Sequence, residues 1–160
     1  MKSENKEVVD LLLKLFMFIM AILGLLMMFL DFAKLGSEGY SGLAVTFGAK
    51  KSMHGSNVEF LGFSILEFIP FLCLVINAIM VFFMADGLLD KKIVVKGIVT
   101  ALFLIATIMF SLAFLTPNVL VNSSAKFTIG IGAILAAIFS FLGALVGFIS
   151  ILKDSDSKAK

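Results

Sequence analysis

The chain has 160 residues, of which 61% are hydrophobic and 15% are charged, and its mean hydropathy is +1.13. Soluble domains are about 45–50% apolar, so this composition excludes an ordinary water-soluble protein and makes lipid the solvent for most of the chain. The net charge is only +2, so nothing in the composition suggests nucleic-acid binding.

Four apolar runs are long enough to cross the hydrocarbon core of a bilayer, about 30 Å thick, as helices. They cover residues 11–30, 60–85, 93–115 and 127–152. The first run is longer than the core of a signal peptide and lacks a small-residue cleavage site after it, so we predict a permanent span. Residues 1–152 therefore form one four-span membrane domain, and the polar residues 153–160 are predicted to be a disordered tail.

The lysines indicate the orientation of these spans, since all 13 basic residues are Lys. If both ends are inside, nine lysines lie on the inner side: Lys2, Lys6, Lys14, Lys91, Lys92, Lys96, Lys153, Lys158 and Lys160. Four lie on the outer side: Lys34, Lys50, Lys51 and Lys126. The positive-inside rule thus predicts a multi-pass protein of the cell membrane with cytoplasmic N- and C-termini and a cytoplasmic tail.

The first outer loop, residues 31–59, is the largest predicted segment outside the membrane. Residues 43–47 and 58–61 are short runs with high strand propensity, and the turn-prone residues 54–57 lie between them. This pattern predicts a small β-hairpin. An isolated hairpin is only marginally stable, so we expect it to pack on the ends of the helices.

Glu67 is the most unusual residue of the second span, because a carboxylate within the membrane is costly and marks a functional hypothesis. It is predicted to lie about two helical turns from the outer end. Ser64, Pro70 and Asn77 fall on the same broad face of the helix. Pro70 also leaves the carbonyl of Leu66 without its helical donor. The second span therefore carries a polar stripe.

The third span offers hydroxyl groups along one face, those of Thr100, Thr107 and Ser111. A tight inner turn makes the second and third spans neighbours, so the hydroxyls could meet the polar stripe. One interpretation is a site for an ion, a proton or a polar substrate between the helices. The other is that Glu67 reaches headgroup water or a loop lysine while the hydroxyls bond their own backbone.

The fourth span carries a ridge of small residues. In lipid, close backbone approach at small residues is a main source of helix association. The ridge is predicted either to pack within the bundle or to form the face of a homodimer. Its members are Gly132, Ala136, Ser140, Gly143, Ala144 and Gly147.

The sequence shows no pattern typical of an enzyme. His54 and Cys73 are the single histidine and the single cysteine, so no set of metal ligands is spaced along the chain. It contains neither a P-loop nor a dinucleotide-binding fingerprint. We therefore predict a protein with no catalytic residues, metal site or cofactor.

The layout of a larger first outer loop with a β element, a tight inner turn and a small second outer loop resembles the claudin-type tetraspans. Gly42-Leu43 stands here without the tryptophans and cysteines of that family. The chain is also similar to small uncharacterised four-span membrane proteins of low-GC bacteria. That similarity is carried by Ser41-Gly42 with Phe47-Gly48, Phe63-Ser64 with Pro70, and Phe114-Leu115-Thr116. It implies the fold and a bacterial host.

These observations favour an all-α membrane protein, a four-helix transmembrane bundle with a small hairpin. The predicted role is a non-enzymatic scaffold, accessory or interaction subunit, whose partners are the lipid bilayer and either another membrane protein or a second copy of the chain. The alternatives are a transporter or channel component that uses Glu67, and a membrane protein that confers immunity to a toxin.

Overall fold

The computed structural model describes residues 2–53, 56–61, 63–86, 89, 93–113 and 127–158. These residues form five helices and five strands, and a 3₁₀ turn at Met27–Phe29 continues the first helix. The helices are α1 (Lys2–Leu26), α2 (Gly42–Phe47), α3 (Ile65–Ala85), α4 (Ile93–Ser111) and α5 (Ile131–Lys158). The strands are β1 (Asp31–Leu35), β2 (Glu38–Ser41), β3 (Ala49–Met53), β4 (Ser56–Leu61) and β5 (Thr128–Ile129).

The four long helices each provide a candidate membrane span of 19 to 25 residues. At 1.5 Å per residue these lengths suit the hydrocarbon core of a bilayer. Their outward-facing side chains are apolar, and Ile98, Ile108 and Phe148 are 46–60% exposed. Such a continuous apolar surface is stable in lipid and prone to aggregation in water. The predicted four-helix membrane bundle is confirmed. The spans are Glu7–Phe29, Ile65–Ala85, Ile93–Ser111 and Ile131–Ser155.

The long helices form a ring in which each packs on two antiparallel neighbours. Helices α1 and α4 both pack on α3 and on α5, and the contact between α4 and α5 is the most extensive. Side chains that are fully buried fill the centre, among them Leu74 and Val81 of α3 and Val99, Phe103 and Phe110 of α4. The core of the protein therefore lies along the axis of the bundle.

The two ends of the bundle differ in structure, and we call them the terminal end and the sheet end. The terminal end comprises residues 7–14, 82–86, 93–96 and 150–155. The sheet end comprises residues 27–53, 56–61, 63–67, 110–113 and 127–132, and it holds every strand of the described chain.

A three-stranded antiparallel sheet of order β2-β1-β5 lies at the sheet end. Strand β1 pairs along its length with β2, and it pairs with β5 where Ala33 lies opposite Ile129. The N–H of Gly130 donates to the carbonyl of Phe32 at 2.8 Å, and the Phe32 ring meets Phe110 of α4 edge-on at 5.5 Å. The sheet therefore joins the chain after α1 to the start of α5 and rests on α4.

The predicted hairpin exists, but one of its strands is different. Residues 58–61 lie in β4, whose partner is β3, whereas residues 43–47 belong to α2. Features at both ends of α2 explain why residues 43–47 form a helix. The Ser41 Oγ accepts a hydrogen bond from the N–H of Ala44 at 3.3 Å. Gly48 ends the helix with φ +97°, a conformation that favours glycine.

Several helix boundaries differ from those predicted by hydropathy alone. Helix α1 begins at Lys2 rather than near 11, and α5 begins at Ile131 rather than near 127, because residues 128–129 are paired with β1. Helix α3 begins at Ile65 rather than near 60, because residues 56–61 are paired in β4. Helix α5 continues to Lys158, into the segment predicted to be disordered. The ion pair between Asp154 and Lys96 of α4 holds its last turns. The end of the predicted third span and the predicted second outer loop fall at residues 114–126, outside the described residues.

Candidate functional site

Glu67 lies in the first turn of α3, closer to the sheet end than predicted, and is 2% exposed. Ser64 caps this helix, since its Oγ accepts a hydrogen bond from the N–H of Glu67 at 3.3 Å. The N-terminus of a helix carries a partial positive charge that stabilises a carboxylate. The start of α3 therefore provides a favourable electrostatic environment for this buried side chain.

Thr46, Ser64 and Glu67 form a buried polar group where α2 meets α3, which we name the Glu67 cluster. The N–H of Ser64 donates to the carbonyl of Thr46 at 2.9 Å, and all three residues are at most 3% exposed. The Oγ1 of Thr46 has no hydrogen-bond partner among the residues that the structure describes. The neighbouring rings of Phe47 and Phe68 pack edge-on at 6.0 Å. Buried polar groups and aromatic rings thus lie side by side at this junction.

Asn77 lies deep in the bundle and links α3 to α4. With the amide nitrogen turned toward Val99, the nitrogen donates to the Val99 carbonyl at 3.3 Å and the oxygen accepts from the N–H of Phe103 at 3.2 Å. These two backbone groups lie one helical turn apart on α4. Asn77 therefore connects the two helices, about 15 Å along the axis from Glu67.

The hydroxyl groups of α4 bond their own helix. Thr107 Oγ1 donates to the Phe103 carbonyl and Ser111 Oγ donates to the Thr107 carbonyl, each at 2.8 Å. Thr100 Oγ1 likewise donates to the Lys96 carbonyl at 2.8 Å. This bonding to the preceding turn is common for Ser and Thr within helices. The structure thus joins Ser64 to Glu67, while Asn77, Thr107 and Ser111 make separate contacts.

The small residues of α5 lie inside the bundle. A Cβ added at Gly143 would stand 2.6 Å from the Phe103 ring, and one added at Gly147 would meet Thr100 Oγ1. A Cβ at Gly132 would stand 2.9 Å from atoms of the chain just after α1. The other members of the ridge are also buried: Ala136, Ser140 and Ala144. The ridge therefore lets α5 approach α4 and the sheet end closely.

An ionic network at the terminal end is an electrostatic feature that the sequence did not reveal. Lys96 Nζ lies 3.1 Å from Asp10 Oδ1 and 2.8 Å from Asp154 Oδ2, and Lys14 Nζ lies 2.8 Å from Asp10 Oδ2. The network joins α1, α4 and α5.

Burial differs between the two kinds of charge in this network. Lys14 and Lys96 are 4% and 3% exposed as residues, whereas the Asp10 and Asp154 side chains are 23% and 29% exposed. The aspartates are therefore the more exposed members of the network and the lysines are the buried ones. A buried charge stays in such a place only when a partner compensates its lost hydration.

The network escaped prediction because its members come from distant parts of the sequence. Asp10 and Lys96 are 86 residues apart, and topology alone brings them to one end of the bundle. The one local signal was the i, i+4 spacing of Asp10 and Lys14. In the sequence, Lys14 and Lys96 serve only as two of the nine lysines that indicate the orientation of the spans.

In the described part of the chain, no group of three or more His, Cys, Asp or Glu side chains could hold a metal ion. The chain matches no protein-family model and no curated protein. The fold itself defines the class, a small membrane protein with four candidate spanning helices.

Proposed function

We propose that the chain is a non-enzymatic scaffold or accessory subunit of the cell membrane that meets its partner at the sheet end. The observation that carries this proposal is the position of β2 at the edge of the three-stranded sheet. Its residues Glu38 and Gly39 are exposed. An edge strand presents backbone donors and acceptors that a strand of another chain can pair with.

The packed interior favours an interaction role over conduction. Leu74, Val99 and Phe103 are all 0% exposed at the centre of the bundle. A conducting path requires polar groups that follow one another across the membrane. The buried polar residues between the Glu67 cluster and the ionic network, which are Asn77, Thr100 and Ser140, bond instead to backbone groups of the helices.

The distribution of lysines supports an orientation for this role. With both termini inside, nine lysines fall in the predicted inner segments and four in the predicted outer segments, which by the positive-inside rule favours cytoplasmic termini. The sheet end would then face the outside of the cell, and the partner would be an extracellular or membrane protein with an accessible strand.

Site-specific photocrosslinking tests the proposed contact. Ser37 and Ser155 are both exposed serines, one at the turn between β1 and β2 and the other at the terminal end. A photoreactive residue at position 37 should give one dominant crosslinked species in cells, and the same residue at position 155 should not. Mass spectrometry identifies the captured chain, and reciprocal purification without crosslinking must recover the same pair. No crosslink at position 37, or equal crosslinks at both positions, would contradict the proposal.

Transport through Glu67 is the second candidate, because burying a carboxyl group within an apolar helix is costly. Reconstituted vesicles separate the two candidates. The scaffold role predicts that wild-type protein gives no proton or cation flux above that of empty vesicles. A flux that Glu67→Gln abolishes and that the exposed-site control Glu38→Gln retains would establish transport instead.

A further inference from the structure

A groove of about 330 Å³ lies between α1 and α3, in the half of the bundle nearest the terminal end. Leu11, Leu15 and Phe18 line it from α1, and Val81 and Phe82 line it from α3. The volume is within the range of pockets that bind small molecules, about 300–1,000 Å³. The groove is separate from both the Glu67 cluster and the edge of the sheet.

The groove opens outward rather than into the core. Val81 at its floor is 0% exposed, whereas Leu11, Leu15 and Phe82 at its rim are 51–59% exposed. These rim side chains belong to the apolar surface that faces the bilayer. The groove is therefore continuous with the interface between the protein and lipid.

Lys14 lines the same groove but does not make it polar. Its ammonium group is paired with Asp10 at 2.8 Å, so the methylene groups of its side chain line the groove. The charged groups consequently lie at the end of the groove toward the aqueous side. This is the arrangement that an amphiphile with a polar head and an apolar tail would match.

The shape of the groove also matches a hydrocarbon chain. Its α1 side follows one helix face from Leu11 to Phe18, about 10 Å along the axis. Membrane helices tilt on average by about 20° from the bilayer normal, so the groove runs roughly parallel to the lipid tails. An empty apolar void loses dispersion contacts on its walls, and hydrocarbon is the material that surrounds these helices.

We propose that this groove binds one acyl chain of a phospholipid from the leaflet at the terminal end, with the headgroup toward that end. The proposal does not depend on the scaffold role. The protein would carry a lipid at a fixed position among the exchanging lipids around it.

Native mass spectrometry of the protein released from membranes in mild detergent tests this binding. Wild-type protein should retain one phospholipid. Ala85 also lines the groove, and Ala85→Phe should fill it and reduce the retained fraction about tenfold. Ala101, an exposed alanine of α4 outside the groove, provides the matched control Ala101→Phe, which should retain the lipid. Wild-type protein without lipid, equal loss in both variants, or a protein dimer that only Ala85→Phe disrupts would overturn the proposal.

A second measurement needs no groove-filling variant. The chain has no tryptophan, so Phe82→Trp introduces a single fluorescent reporter at the rim of the groove and Phe148→Trp introduces one on the exposed face of α5. One equivalent of a phospholipid with brominated acyl chains, added to the protein in detergent, should quench the first variant and leave the second unchanged. Equal quenching of both variants would overturn the proposal.

Discussion

Lys96 is the residue on which the terminal end depends most. It is 3% exposed and is the one member of the ionic network that contacts both aspartates. Burying a charge in a pair contributes little net stability, but removing one partner leaves the other uncompensated at a typical cost of about 3–5 kcal/mol. The network is therefore far more sensitive to the loss of one charge than to the loss of a matched pair.

We predict that Lys96→Met lowers the free energy of unfolding by about 3–5 kcal/mol, because the buried ammonium group that contacts both Asp10 and Asp154 is then removed. Unfolding in mixed micelles of SDS and a mild detergent measures the change. Adding Asp154→Asn to Lys96→Met should restore part of the loss, since both charges of that pair are then gone.

The control for this measurement is Lys34→Met in β1, which removes a lysine of intermediate exposure from the other end of the bundle. It should change stability by less than about 1 kcal/mol. A double variant less stable than Lys96→Met alone would show that Asp154 stabilises the fold through a contact other than Lys96.

At the scale of elements, the contact between α4 and α5 depends on the absence of a side chain at Gly143. The Phe103 ring lies where a Cβ would be, at 2.6 Å, and it is fully buried. Gly97 of α4 offers a contrast, because a Cβ added there would meet no other atom within 4 Å.

The two glycines should therefore respond to alanine in opposite directions. Gly143→Ala should destabilise the bundle by about 1–3 kcal/mol through overpacking. Gly97→Ala should stabilise it by about 0.5–1 kcal/mol, since alanine has the better helix propensity and nothing obstructs it. Both free energies of unfolding are measured in the same mixed micelles. A stabilising effect at Gly143 would mean that α4 and α5 are not in close contact there.

Hydropathy predicted the four long helices well, because length and apolar content determine a membrane span almost locally. It failed for elements that depend on distant contacts or on helix caps. Strand β5 has only two residues and forms because β1 lies beside it. Residues 43–47 have strand propensity but become α2 through the cap at Ser41 and the turn at Gly48.

The contacts of the candidate site were likewise predicted only in part. Glu67 was identified because a carboxylate within an apolar run is costly, and Ser64 does lie beside it. The structure placed Asn77 in a contact between helices and left the hydroxyls of Thr107 and Ser111 on their own backbone. The ionic network could not be predicted, since neither partner of Lys96 is near it in sequence.

For the whole molecule, the proposed orientation predicts which end a membrane-impermeant thiol reagent can reach. In a Cys73→Ala background, Ser37→Cys at the sheet end should be labelled in intact cells. Ser155→Cys at the terminal end should be labelled only after the membrane is made permeable. Labelling of position 155 alone in intact cells would invert the orientation and place the sheet in the cytoplasm.

The position of α5 has a consequence for biosynthesis. Strand β5 lies just before this helix and completes the sheet by pairing with β1. Asp154 lies near the C-terminal end of α5 and contacts Lys96 at the opposite end of the bundle. Neither contact can form until the ribosome has made α5 and the helix has entered the membrane. Before α5 is inserted, strand β1 at the sheet end therefore lacks its partner β5. At the terminal end, Lys96 then lacks its contact with Asp154. Insertion of a single helix completes both ends of the protein.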